Sequence, residues 1–450
     1  MKNNLKLETE PIPILVKSLA FPAITGMLVN AIYNIVDTFF VGKLNDPYAL
    51  GAVSIAFPTI MIITAIALTL GIGLGALLSR TLGEKKFSKA NSIFSTVIVF
   101  TFFVGIVIGI FGFFNTEFIS KIFGINGILK IYFKNFIRWI FLAAPFTTLN
   151  MALNNSIRGE GNAKYSMHAL NLGALVNVIL DPLFIFHFHL GVSGAAIATG
   201  LSQFVSTVFL LSFYLKNNSI IKFKIKEVSF KFKMFKELLT MGFPSFIRQI
   251  LVSLAVALVN SAASLFGPEA IAGLGVAMRI NSLNVFVLFG LGQALQPIVA
   301  YNYGAKKFQR VKESIGYTLK LANYFSVISS VVFFIFAKYL IALFTKDPNI
   351  INYGSLFLRG SALTFSLNGF QIIITTLFQS LGKGFYAFLT TSSRQGFFFI
   401  PVILVLPKLI GFYGLPGTQI IGDTGGFLVA FYLYKNFKKE IGDKIKILEK

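Results

Sequence analysis

The segment that decides the fold lies near the start of the chain, at residues 14–41, and reads ILVKSLAFPAITGMLVNAIYNIVDTFFV. It is long and apolar enough to cross a bilayer, which takes about 20 residues in a helix. Asn30, Asn34 and Asp37 recur at i, i+4 and i+7, so they share one helix face. A carboxylate at this depth costs about 2.5–3.5 kcal/mol to insert and usually faces a bundle interior. The segment therefore predicts a transmembrane helix whose polar stripe serves an ion or substrate pathway.

The composition extends this prediction to the whole chain. Of its 450 residues, 55% are hydrophobic and only 13% are charged, whereas soluble domains carry about 25% charged residues. The apolar runs are long, unlike the short alternating segments of membrane β-barrels. We therefore expect an all-α integral membrane protein.

Charged and turn-rich breaks divide the chain into about twelve spans, which predict twelve transmembrane helices. Their approximate limits are 14–41, 50–79, 91–114, 130–157, 164–187, 191–215, 236–265, 270–302, 313–343, 351–380, 385–409 and 413–435. A very tight turn at His189-Leu190-Gly191 joins the fifth span to the sixth, so these two helices must be neighbours.

The chain also repeats itself. Three motif pairs recur at an offset of 221 or 222 residues: Phe21-Pro22 with Phe243-Pro244, residues 83–87 (GEKKF) with 304–308 (GAKKF), and Gly161 with Gly382. Each repeat holds six spans, so the halves have the same orientation and are related by an axis along the membrane normal. We expect an N-lobe at 1–220 and a C-lobe at 221–450. The C-lobe begins with a lysine-rich linker that is either an amphipathic interfacial segment or a solvated basic connector.

The net charge of +23 reflects lysines and arginines in short loops after spans two, four, six and eight and in the C-terminal tail. This bias places both termini and the linker in the cytoplasm, as in a prokaryotic inner-membrane protein, with anionic lipid as a partner. It disfavours the competing reading of a basic chain as a nucleic-acid binder.

Catalytic chemistry has little support in the sequence. The chain has no cysteine and only three histidines, so thiol chemistry is excluded and no metal cluster is indicated. No nucleophile–base arrangement is visible either. We expect no enzymatic activity and no cofactor.

Several motifs, spread in order over nearly the whole chain, resemble those of the multidrug and toxic-compound extrusion (MATE) transporters. They are 33–42 (YNIVDTFFVG), 154–163 (NNSIRGEGNA), 177–182 (NVILDP), 293–297 (QALQP) and 301–305 (YNYGA). The acids resemble those of the prokaryotic DNA-damage-inducible branch. The resemblance implies two six-helix lobes around a central cleft, in a monomer. It also implies export of amphipathic, often cationic compounds in exchange for Na⁺ or H⁺.

The resemblance further implies a cation site at Asp37, Asn177, Asp181 and Thr199, with Asn154 nearby. The residues support it independently, because Asn177 and Asp181 are one turn apart and Pro182 deprives a preceding carbonyl of its helical donor. Carboxylate, amide and hydroxyl oxygens suit a hard cation such as Na⁺, and they serve a proton equally well. The structural alternative is that such polar residues join helices, at about 0.6 kcal/mol per hydrogen bond.

Candidates for substrate contact are aromatic and polar residues of the predicted interior, since aromatic faces attract flat cations. They are Tyr33, Asn34, Phe146, Gln203, Phe286 and Phe289. In the C-lobe the repeat places Val259 opposite Asp37, so the acid site is not duplicated. There we expect Arg248 to pair with Asp423.

Three other functions compete with cation-coupled export. A flippase for lipid-linked saccharides would use a cationic cavity. The arginines of the C-lobe could line such a cavity, so this function stays an alternative. An ion channel is disfavoured because no repeated filter motif appears. An enzyme is less favoured still.

Overall fold

The computed structural model describes residues 2–44 and 46–449, without the side chains of residues 2–5, 34, 38, 448 and 449. Within that part of the chain every regular element is a helix. Those of the N-lobe are α1 (Lys2–Thr9), α2 (Ile12–Gly42), α3 (Pro47–Gly83), α4 (Phe87–Phe114), α5 (Thr116–Ile122), α6 (Gly127–Gly159), α7 (Ala163–Pro182), a π-helical turn (Leu183–His187) and α8 (Gly191–Leu215).

A linker with one short 3₁₀ turn (Ile225–Glu227) leads to the C-lobe. Its helices are α9 (Phe232–Ala263), α10 (Pro268–Gly304), α11 (Phe308–Ile335), α12 (Ala337–Ala342), α13 (Pro348–Ala362), α14 (Phe365–Ser380), α15 (Gly384–Ser392), α16 (Ile400–Ile410) and α17 (Gly414–Glu449). A π-helical segment (Ser393–Phe399) joins α15 to α16, and 3₁₀ turns (Ser264–Phe266 and Gly411–Tyr413) follow α9 and α16.

The described helices agree with the predicted number of crossings. Ten stretches are long and apolar enough to span a membrane, and the pair α13–α14, bent by 56°, makes an eleventh. One of the ten, Gly384–Ile447, has 64 residues, which is about three times what one crossing needs. The turn at Gly411–Tyr413 divides it in two, which gives the predicted twelve.

The internal repeat is visible in the backbone. Helices α3 and α10 both have 37 residues, and α4 and α11 both have 28. The turns after α3 and α10 place Lys85 and Lys306 at φ 58° and 59°, and Gly161 and Gly382 have φ 84° and 73°. A positive φ is uncommon for lysine, so its recurrence at matched positions confirms the two-lobe fold.

Three hydrophobic cores show how the lobes meet. One is shared, and it includes Leu74 of α3 and Leu295 of α10. A second lies wholly in the N-lobe, around Ile63 and Phe133, and a third wholly in the C-lobe, around Ala255 and Leu274. The lobes therefore form a V. We call the end with the shared core, the linker and the termini the linker side, and the opposite end the open side. The vertex is the level at which the shared core ends and the two separate cores begin.

Glycines make the close packing of the linker side possible. A Cβ on Gly83 would clash with the carbonyl of Tyr301, and one on Gly304 with the carbonyl of Arg80. Only glycine allows backbones to approach this closely. The GEKKF and GAKKF motifs thus pack against each other across the two lobes.

Helix α1 contacts both lobes on the linker side. Leu7 is fully buried in the shared core, and its carbonyl accepts hydrogen bonds from Asn302 Nδ2 (3.0 Å) and Arg310 (3.3 Å). The Glu8 carboxylate pairs with Lys307 at 2.9 Å and accepts a hydrogen bond from Tyr301. The first helix of the N-lobe sequence is therefore bound to the C-lobe.

The linker lies along the start of α4. The amides of Lys222, Lys224 and Ser229 donate to side-chain oxygens of Asn91, Ser95 and Thr96, each at 2.9 Å. Phe223, Ile225 and Phe230 are exposed and alternate with lysines. The linker backbone is therefore bound to the N-lobe, and both descriptions of the linker, interfacial segment and solvated connector, stay predictions.

Candidate cation site in the N-lobe

Three helices, α2, α7 and α8, bring the predicted cation ligands together, with the exception of Asn154. Asn177 and Asp181 on α7 are fully buried, and Asn177 Nδ2 donates to Asp181 Oδ1 at 3.3 Å. The carboxyl group of Asp37 on α2 is adjacent to that of Asp181. The hydroxyl group of Tyr33, one turn before Asp37, forms a hydrogen bond with Thr199 on α8.

The local sequence explains this arrangement. Helix α7 ends at Pro182 and continues as a π turn through His187, a geometry often found at functional sites. His189 and Gly191 then both have φ 53°, and the chain reverses directly into α8. A Cβ on Gly194 would lie only 2.6 Å from the backbone of Phe184, so the glycine allows α8 to pack closely there, which holds Thr199 beside the end of α7.

The site contains oxygen atoms without donors. Asp37 Oδ1, Asn177 Oδ1 and Asp181 Oδ2 are buried and have no hydrogen-bond partner among the described residues. Buried acceptors are normally satisfied, and two adjacent carboxylates repel each other. No lysine or arginine in the described part of the chain forms an ion pair with either acid. The arrangement can therefore accept a proton or a hard cation that prefers oxygen ligands.

Asn154 is held elsewhere. Its Nδ2 donates to the carbonyl of Ser166 at 3.2 Å, and its Oδ1 accepts from the Ser166 hydroxyl at 2.8 Å. Ser166 precedes Asn177 by three helical turns, which corresponds to about 16 Å along α7. The structure therefore gives Asn154 a role in joining α6 to α7 and does not bring it to the acids.

The predicted substrate contacts are dispersed. Phe146 meets Phe204 edge-on at 5.1 Å within the N-lobe, and Gln203 lies half-buried one turn beyond Thr199. Phe286 and Phe289 are half-buried on α10 in the C-lobe. The side chain of Asn34 lies outside the described residues. Only Tyr33 joins the cation ligands.

The predicted Arg248–Asp423 pair is wrong. Asp423 is bound by Arg394 Nε at 2.5 Å, Thr364 Oγ1 at 2.6 Å and Gln419 Nε2 at 3.1 Å. Arg248 instead lies over the ring of Phe289, with its guanidinium carbon 4.4 Å from the centroid. Arg394 stands on the π segment of the C-lobe, and that local distortion has no signal in the residue pattern.

Two residues of the motif at 154–163 have roles that sequence reasoning missed. Arg158 reaches across the lobes to Gln293. Glu160 is buried and accepts hydrogen bonds from Ser219 Oγ at 2.6 Å and the amide of Ile220 at 3.3 Å, and burial raises its pKa to about 7. The sequence did contain a signal for these contacts, because Arg158 and Glu160 are opposite charges at a predicted helix end, where such groups usually have polar partners.

Comparison with known proteins supports the fold and the family. The MatE family model matches residues 22–183 and 244–405, which is more than half of the chain and repeats the internal duplication. The multidrug export protein MepA of Staphylococcus haemolyticus is 28% identical over 432 residues, covering 96% of this chain and 95% of its own.

Solved structures agree over the full length. An outward-facing multidrug resistance MATE transporter of the MOP superfamily superposes with a TM-score of 0.93, at 26% identity and 99% coverage of both chains. A MOP superfamily transporter from Pyrococcus furiosus, described as having a binding pocket of reverse polarity, gives 0.91 at 25% identity, again over 99% of each chain. The chain therefore belongs to the MATE family of multidrug export transporters.

Proposed function

We propose that this transporter is an antiporter that exports amphipathic, often cationic compounds in exchange for H⁺ or Na⁺ bound in the N-lobe. The observation that carries the proposal is the set of three buried oxygens on Asp37, Asn177 and Asp181 that have no hydrogen-bond partner among the described residues. Such atoms are costly unless an ion or proton binds them. With the Thr199 hydroxyl they form an all-oxygen ligand set that fits either cation.

Coupling requires that occupancy of this site alters the shape of the lobe. Asp37 lies on α2, which contains Pro22, and Asp181 lies beside Pro182. Proline removes a helical hydrogen bond and permits bending. We infer that cation binding draws Asp37 towards Asp181, bends α2 at Pro22 and disfavours drug in the space between the lobes.

The driving force is adequate for concentrative export. One proton that crosses about 100 mV gains ~2.3 kcal/mol, and one pH unit adds ~1.4 kcal/mol. If the exchange moves net charge, the sum supports a substrate gradient of roughly 500-fold.

We also infer the orientation. The lysine-rich loops lie on the linker side, so the positive-inside rule places that side in the cytoplasm of a prokaryotic cell. The V then opens away from the cytoplasm, in agreement with the likeness to a structure described as outward-facing. The closed linker side would have to separate for drug to enter.

Ethidium efflux from energised cells or right-side-out vesicles, with Na⁺ and pH gradients imposed separately, tests the function. We expect one gradient to drive efflux, and Asp37→Asn and Asp181→Asn each to abolish it at unchanged expression. Asp443→Asn, an exposed acid on α17, is the matched control. Full transport by both site variants would refute the coupling site, and failure of both the Na⁺ and the pH gradient to drive efflux by the parent would refute the antiporter.

A second candidate is a flippase for lipid-linked saccharides or a related polar lipid. It is favoured by one observation, the guanidinium group of Arg248, which forms no ion pair with any residue that the structure describes, since a cationic cavity would hold a diphosphate. Transfer of a fluorescent polyprenyl diphosphate between leaflets of proteoliposomes distinguishes it. Transfer that depends on the protein while ethidium efflux is absent would favour the flippase.

A further inference from the structure

Arg248 lies at the vertex, where the two lobes begin to separate. On α9 it stands between Met241 in the shared core and Ala255 in the C-lobe core. The next residue, Gln249, donates to the sulfur of Met61 on α3 at 2.7 Å. Arg248 is half-buried at the level where the two lobes begin to separate.

Phe289 lies at the same level on α10. The neighbouring Gly290 is so close to α2 that a Cβ there would lie 2.6 Å from the Ile24 side chain. The residues that follow Arg248 and Phe289 in sequence therefore both contact the N-lobe. The Arg248–Phe289 pair belongs to the seam between the lobes and not to the lipid-facing surface.

The charge of Arg248 has no counter-ion in the part of the chain that the structure describes. No carboxylate of the described residues lies within ion-pair distance, and no hydrogen bond to its guanidinium group is formed there. Asp423, the acid that the sequence suggested, is already bound by three other side chains. Arginine stays protonated in proteins, so the group remains a cation within the membrane.

The contact with Phe289 does not compensate for this. A cation–π contact offsets only part of the free energy that is lost when a charge is removed from water. Intramembrane charges of this kind usually serve a pathway or a ligand. The stacked arrangement also leaves the N–H groups at the edge of the guanidinium plane free to donate.

We propose that Arg248 and Phe289 form an anion-recognition subsite for the carboxylate of flat aromatic acids. The planar fork of arginine matches a carboxylate with two parallel hydrogen bonds, and the adjacent ring packs against the aromatic body of the ligand. Both residues of the subsite stand on C-lobe helices, whereas Asp37 and Asp181 stand on N-lobe helices, so carboxylate and cation would bind in different lobes. It deepens the proposed export function by adding acids to the compounds that the transporter accepts.

Equilibrium binding of 1-pyrenebutyrate to the purified full chain in nanodiscs tests this proposal. The methyl ester of the same compound controls for partition into lipid, and ethidium controls for the fold. The parent protein should bind the acid more tightly than the ester. Arg248→Gln should weaken binding of the acid by about 10- to 100-fold, the range for a charge-assisted pair, and leave the ester and ethidium unchanged.

Matched variants separate recognition from folding. Arg359→Gln removes another arginine that stacks on a phenylalanine, Phe334, with a separation of 5.8 Å, and it should leave binding of the acid intact. Arg248→Lys keeps the charge without the fork and should give an intermediate loss, which provides a measurement if the glutamine variant does not fold.

Three outcomes would overturn the subsite. They are equal binding of acid and ester by the parent, unchanged binding of the acid by both Arg248 variants, and an equal loss in Arg359→Gln. None of these measurements uses an ion gradient. A failed antiporter test would therefore leave the result on the subsite intact, and the converse also holds.

Discussion

Truncation of Leu7 to alanine should open the linker side. Leu7 is fully buried between the lobes, and its side chain lies 3.2 Å from the position that a Cβ on Gly161 would occupy. Its carbonyl is held by Asn302 and Arg310 of the C-lobe. Separation of the lobes must expose this side chain, so its burial stabilises only the closed arrangement.

The magnitude follows from the burial. Leucine-to-alanine changes at fully buried sites cost about 2–5 kcal/mol, because a cavity adds to the lost transfer free energy. A value of about 3 kcal/mol would change the ratio of closed to open molecules by roughly 100-fold. The backbone hydrogen bonds to the Leu7 carbonyl remain possible in the variant, so the effect is that of the side chain alone.

Spin-label distances provide the assay. The chain has no cysteine, so Ser88→Cys and Gln309→Cys can be labelled without further changes. Both residues are exposed on the linker side, at equivalent positions of the two repeats, one residue into α4 and α11. The parent should give one short distance, and Leu7→Ala should add a longer one.

A matched control is Lys6→Ala, which changes the exposed neighbour and should leave the distances unaltered. If Leu7→Ala keeps the single short distance of the parent at every substrate and ion concentration, α1 does not stabilise the closed linker side and the reasoning is wrong.

Three further predictions concern other contacts. The pKa of Glu160 is about 7 in the folded protein, against 4.5 for an exposed glutamate. The protonated side chain therefore stabilises the bound linker at low pH, by about 3 kcal/mol. That contribution is lost as the pH rises from 4.5 through 7; the hydrogen-exchange protection factors of residues 219–229 should fall over this range in the parent but not in Glu160→Gln. Gly304→Ala should prevent full closure of the linker side, seen as a longer spin-label distance, whereas Gly316→Ala, with open space around it, should not. Asp423→Asn should destabilise the C-lobe by about 3–5 kcal/mol, and Arg394→Leu combined with Asp423→Leu should regain most of the lost thermal stability.

Long-range order was predictable where the chain repeats itself. Motif pairs at an offset of 221 or 222 residues fixed the two lobes and their common orientation, because equal sequences with equal turns fold alike. The spacing of Asn177 and Asp181 likewise placed both on one helix face. These inferences depend only on local periodicity.

Contacts between distant segments were less accessible. Asn154 lies one helical turn after Asn150, as Asp181 lies one turn after Asn177, yet Asn154 forms hydrogen bonds with Ser166. Asp423 pairs with Arg394 and not with Arg248, because a π segment turns Arg394 inward. Side-chain partners across helices depend on rotation about the helix axis, and a hydropathy pattern does not specify that rotation closely enough.

The bonded linker has a mechanical consequence. Its backbone is fixed to α4 as far as Ser229, and α9 begins at Phe232. Only residues 230 and 231 lie between these points, and two extended residues reach about 7 Å. The C-lobe is thus hinged at the edge of the N-lobe by a very short tether, which restricts any rocking motion to rotation about that edge and forbids the lobes to slide past one another.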